Sequence, residues 1–87
     1  MYKPKDSVTV LPGGKIKITM NIQIHGENRS ENPEPFDSSR EAISWVNGQI
    51  NTVKGLYNGG ELTKEEEIEL VERYKKVKEK ILALNKQ

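Results

Sequence analysis

The sequence predicts an α+β fold of order ββαα, an N-terminal two-stranded antiparallel β-hairpin followed by a long antiparallel helical hairpin, completed by dimerisation. Three observations carry that prediction. Apolar and polar residues alternate strictly over residues 15–24, two later segments repeat apolar residues at helical spacing, and glycine pairs punctuate the chain between elements.

The hairpin occupies residues 1–25. Its second strand sets Ile16, Ile18, Met20, Ile22 and Ile24 on one face and Lys15, Lys17, Thr19, Asn21 and Gln23 on the other. Period two over ten residues is the pattern of a strand with one buried face. The first strand carries Val8 and Val10, and Pro12-Gly13-Gly14 supplies the turn. Parity selects its length. A three-residue loop sets Leu11 against Lys15, Val10 against Ile16 and Val8 against Ile18, so the apolar faces coincide. A two-residue loop would set Val10 against Lys17 and put those faces on opposite sides. Continued outward, the three-residue register places Tyr2 opposite Ile24.

Residues 26–37 contain two prolines and one apolar residue, Phe36, and read as a polar loop. Twelve residues is long for a connection in a compact domain, so this loop is either functional or mobile. Helix one, within residues 38–60, runs from about Ser39 to Asn58. Ser38 and Glu41 have capping-box spacing, and Gly59-Gly60 stops the helix. Ile43, Val46, Ile50, Val53 and Tyr57 form its apolar stripe, beside a second stripe of Ala42, Trp45, Gln49, Thr52 and Leu56. Helix two, within residues 63–87, begins at about Lys64 with Thr63 and Glu66 as its capping box. Leu70, Tyr74, Val77, Ile81 and Leu84 repeat at the spacing of a helix-on-helix seam.

Eighty-seven residues make one small domain, and the 21 Leu, Ile, Val and Phe residues give it a thin core. With no cysteine there is neither a disulfide nor a thiolate metal site, and the single His25 cannot form a zinc site alone. Self-association is the remaining way to enlarge the core, so a homodimer or higher oligomer is expected. No apolar run reaches the ~20 residues of a membrane span or the core of a signal peptide, and a cytoplasmic setting is expected. Fourteen basic and thirteen acidic residues nearly cancel. Bulk charge therefore points to neither nucleic acid nor membrane.

No nucleophile–base set, HExxH or P-loop is present, so the chain reads as a non-enzyme without a cofactor or metal. Glu65, Glu66, Glu67 and Glu69 oppose the dipole at the start of helix two, as Lys75, Lys76, Lys78 and Lys80 do toward its end. Three surfaces remain as candidate sites. On helix one, Lys54 is the only charge from Ala42 to Gly60, and Ser44, Gly48, Asn51, Gly55 and Asn58 form a stripe of small residues. Glycine inside a helix costs about 1 kcal/mol against alanine. Close approach of another backbone, from helix two of the same chain or a second subunit, would offset it, and the stripe is the candidate partner surface. Lys15, Lys17, Thr19, Asn21 and Gln23 project together, as residues of a β-ribbon reading a DNA groove would. Ser38, Ser39 and Arg40 at a helix start, with Arg29, could hold a phosphate.

The leading functional reading is a small stoichiometric binding protein, a regulator or inhibitor of a larger protein partner. Phages and other mobile elements carry proteins of this kind to block host machinery. The alternatives are β-ribbon DNA binding and sequestration of a small phosphorylated or nucleotide ligand at a subunit interface.

Overall fold

A computed structural model describes residues 6–24 and 27–84, with the order β1 (Ser7–Val10), β2 (Ile16–Ile24), β3 (Glu27–Glu31), α1 (Ser39–Asn58) and α2 (Lys64–Leu84). The fold is α+β, as the sequence predicts, with a third strand that it does not predict. Tyr2 and His25 lie outside the described residues, so the expected pairing of Tyr2 with Ile24 does too.

β1 and β2 pair in the register that parity requires, Val8 opposite Ile18 and Val10 opposite Ile16. Between them Pro12 and Gly13 occupy the corner of a type II turn. Gly13 has φ +94°, a value that costs L side chains dearly, and the Gly14 amide closes the turn on the Leu11 carbonyl at 2.9 Å. The Leu11 amide donates to the Lys15 carbonyl at 2.7 Å, which makes that pair hydrogen-bonded. Antiparallel ladders alternate, so Thr9–Lys17 and Ser7–Thr19 are bonded pairs too, and the backbone groups of Ile16 and Ile18 point away from β1. Ile16 accordingly exchanges two bonds with Phe36, at 2.9 and 2.8 Å.

That far side of β2 corrects the reading of residues 26–37 as a polar loop. Glu27–Glu31 is an edge strand, and the sheet order is β1-β2-β3 rather than a two-stranded ribbon. Ile24 pairs with Glu27, Ile22 with Arg29 and Met20 with Glu31. The physical reason is hydrogen bonding. The backbone groups of Met20, Ile22 and Ile24, like those of Ile16 and Ile18, point away from β1 and need an acceptor and a donor on that far side. A strand needs no apolar side chain to supply them. Beyond Glu31 the four residues 32–35, two of them proline, span only three of β2 before Phe36 meets Ile16, so the regular ladder is interrupted there.

Both helices cover one face of this sheet. Ile16, Ile18, Met20, Ile22 and Ile24 are all buried against Val46 and Val53 of α1 and Leu70, Tyr74, Val77 and Ile81 of α2. Ser38 caps α1 by accepting from the Glu41 amide (3.2 Å), while the Glu41 carboxylate reaches back to the Asp37 amide (3.2 Å). Thr63 and Glu66 form a reciprocal capping box on α2, at 3.1 and 2.8 Å. α1 ends in a Schellman motif: Gly60 at φ +82° donates to the Tyr57 carbonyl, and Glu61 donates to that of Leu56. The next residue, Leu62, is thereby turned into the core.

One charged side chain lies in this layer. Arg73 of α2 is 9% exposed and grips Asp6 with two bonds, Nε to Oδ2 at 3.1 Å and Nη2 to Oδ1 at 2.6 Å. Its Nη2 also donates to the Asn21 carbonyl. Asn21 is two residues past Thr19, so its carbonyl points to the β1 side, where the guanidinium meets it. Removing Arg73 leaves a desolvated carboxylate. We therefore expect Arg73→Ala to lower the stability measured by urea unfolding by about 3 kcal/mol. Lys15→Ala, which breaks an exposed 3.4 Å pair with Asp37, should change it by less than about 0.5 kcal/mol.

Candidate functional site

The outward face of α1 is built by its own periodicity. With Ala42, Val46 and Val53 turned into the core, Ser44, Gly48, Asn51, Gly55 and Asn58 fall on the far side, and all five are exposed. A Cβ placed on Gly48 or Gly55 meets no heavy atom within 4 Å. Neither glycine is in contact with α2, so close packing within the chain does not account for them. Thr52 lies beside the stripe with its Oγ1 bonded to the Gly48 carbonyl at 3.0 Å, and Asn47 on the opposite flank accepts from Lys78 Nζ at 3.3 Å. The result is a helical surface of small, neutral side chains on a backbone open to approach. α2 presents the contrary surface, with exposed Glu65, Glu69, Glu72, Lys75, Lys76, Glu79 and Lys80. A shallow concavity along it, lined by Glu65, Ile68, Glu69, Glu72, Arg73 and Lys76, contains no hydroxyl, thiol or imidazole nucleophile.

The outer face of the sheet carries Lys17, Thr19, Asn21 and Gln23 together, with Lys15 just beyond the strand in the turn. The register adds Ser7 and Thr9 from β1 and Asn28 and Ser30 from β3, because directly opposed residues share a face. Ser30 Oγ donates to Asn21 Oδ1 across the strands at 3.0 Å. Glu27, Arg29 and Glu31 fall on the other, helix-covered side. No acid therefore lies on the outer face of the three strands. Its two lysines are engaged in holding the segment after β3: Lys17 Nζ donates to the Pro33 carbonyl at 2.8 Å and Lys15 pairs with Asp37.

The four residues of the candidate anion site are not brought together. Arg29 is level with Ile22, whereas Phe36, two residues before Ser38, is level with Ile16. Six residues of strand separate the two levels, roughly 20 Å. The chain then runs on from Phe36 away from Arg29. Ser38 Oγ is taken up by the helix cap, and the carboxylates of Asp37 and Glu41 flank Ser38, Ser39 and Arg40. Among the described residues no group of three His, Cys, Asp or Glu side chains could hold a metal ion. No helix there is long and apolar enough to cross a membrane.

Sequence reasoning missed the Arg73–Asp6 pair and the aromatic run beside it. Phe36 and Trp45 have ring centroids 5.9 Å apart, and Trp45 meets the Tyr74 ring edge-on at 6.2 Å. Burial, with the Glu31 carboxylate nearby, pushes the Tyr74 phenol above its ordinary range. The available signal was Arg73 standing between Leu70 and Tyr74 on the inward side of helix two. The chain matches no protein-family model, no curated protein and no solved structure.

Open space around both glycines fixes the sign of a substitution. Gly48→Ala and Gly55→Ala should each raise the stability of the isolated chain in urea unfolding, by up to ~1 kcal/mol, through helix propensity and a less flexible unfolded chain.

Proposed function

We propose that this chain is a non-catalytic binding protein that acts stoichiometrically as a regulator or inhibitor of a larger protein, presenting the outward face of α1 to it. The carrying observation is that Ser44, Gly48, Asn51, Gly55 and Asn58 are exposed, small and uncharged, and that a Cβ on either glycine meets no other atom within 4 Å. A partner helix or strand that lies across Gly48 and Gly55 comes closer to the backbone than any side chain there would permit. The stripe itself carries no charge to desolvate, unlike the exposed side of α2, which is charged at every turn. A phage or mobile-element inhibitor of host machinery is a fitting setting for a protein of this size and design.

A substitution that blocks approach without touching the fold tests this reading. Gly48→Arg projects into open space, so its far-UV spectrum and urea midpoint should stay close to those of the unchanged chain. A partner retained in equimolar amount by the unchanged protein and lost from the variant is the expected outcome. Recovery of the same proteins by both would remove α1 from the account.

A second reading, DNA binding by the sheet, is favoured by one specific feature, the absence of acids from the outward positions of the three strands, with Asp37 beside Lys15 the acid nearest to them. If it holds, Lys15 and Lys17 leave Asp37 and Pro33 to meet phosphates. Replacing both with Ala should then flatten the dependence of log K on log salt by about two. Electrophoretic mobility on a duplex at low salt, unchanged by the protein, would contradict it.

A further inference from the structure

The two edges of the sheet are unlike. β3 is Glu-Asn-Arg-Ser-Glu, with charges at alternate positions, the usual protection of an open edge. β1 is Ser-Val-Thr-Val, and no charge occurs from Ser7 to Gly14. The ladder with β2 turns Ser7 and Thr9 inward, so the amides and carbonyls of Val8 and Val10 point outward. Among the described residues neither valine has a backbone partner on that side. The open stretch is bounded at both ends. Lys80 Nζ covers the Asp6 carbonyl at 3.3 Å, and Pro12 has no amide to offer. Val10, on the core-facing side of the strand, is 50% exposed.

This edge is its own complement. Let a second copy of β1 run antiparallel with Thr9 facing Thr9 of the partner across a twofold axis. Val8 then faces the partner's Val10, and Val10 the partner's Val8. Each of these two pairs exchanges two N–H···O bonds, so the four outward groups of each copy are all satisfied. The same register keeps apolar with apolar, because opposed residues share a face, and it lays a valine over the exposed Val10. A shift by one residue would set valine against threonine and turn the two core faces to opposite sides. We infer that β1 pairs with β1 of a second copy, giving a continuous six-stranded sheet in the order β3-β2-β1-β1-β2-β3 with all four helices on one side. The contact goes beyond the proposed partner binding and leaves the outward face of α1 uncovered by the sheet.

The absence of cysteine makes the register directly measurable. Thr9→Cys places two thiols at the axis in a non-hydrogen-bonded pair, with Cα atoms about 4.5 Å apart, within disulfide reach. Ser7→Cys on the same face leaves them four residues apart along the strands, roughly 13 Å, too far to bridge. Under mild oxidation Thr9→Cys should run at twice the 9.9 kDa chain mass, and Ser7→Cys at the chain mass. So small a contact is weak, so sedimentation is followed up to about 100 µM, where the unchanged chain should approach the dimer mass. Val10→Lys, at an exposed position, should keep the fold by circular dichroism and sediment as a monomer. The inference is overturned if the unchanged chain stays monomeric throughout, if both cysteine variants cross-link equally, or if the dimer survives Val10→Lys. A dimer that Thr9→Cys fails to trap, or a monomer that instead takes up an extended peptide at this edge, overturns it as well.

Discussion

Strand β2 is the constraint on which the rest of the structure depends. Its five alternate apolar residues are all buried, so one face must be covered by helices. Alternate backbone groups along it point away from β1, so it must find hydrogen-bond partners elsewhere in the chain. Two segments answer that demand, β3 along Met20 to Ile24 and Phe36 at Ile16, while on the β1 side Arg73 reaches over from α2 to the carbonyl of Asn21. The last of these carries a charge into a nearly dry place, where Asp6 balances it. A pair of this kind is weak evidence of net stabilisation, yet it fixes where the start of β1 meets α2.

Covering β2 on one side only determines which surfaces are left for anything else. The outer face of the sheet remains polar, with hydroxyls and amides on all three strands and its acids turned to the opposite side. The two helices divide the other boundary unequally. α2 is charged at every turn and well suited to water. α1 exposes a stripe of small neutral residues whose two glycines are open to approach. That asymmetry is the reason for assigning partner binding to α1 rather than α2.

Much of this was legible in the sequence where side-chain pattern governs structure. The alternation from Lys15 to Ile24 and the parity of Val8 and Val10 gave the β1–β2 register, and two capping boxes with Gly59-Gly60 gave both limits of α1 and the start of α2. β3 was not legible because backbone bonds alone make it. Glu27 and Arg29 lie on the covered side of the sheet but beyond the helices, so no apolar residue marks that side. A hint did exist: only two residues, one of them Gly26, separate Ile24 from Glu27, the length of a tight hairpin. Of the candidate sites, the stripe on α1 and the outer face of β2 hold together, since each rests on a single element. The anion site required two segments to meet, and the unforeseen strand carried Arg29 to the far end of β2.

Amide hydrogen exchange resolved by residue tests the central claim, that β2 is paired on both sides beneath a single helical layer. The register directs the amides of Arg29 and Glu31 toward β2 and those of Asn28 and Ser30 away from it. Alternating protection through β3, with Arg29 and Glu31 slow, Asn28 and Ser30 fast, and Met20 and Ile22 among the slowest in the chain, is the predicted result. Uniformly fast exchange from 27 to 31, with Met20 and Ile22 unprotected, would contradict it.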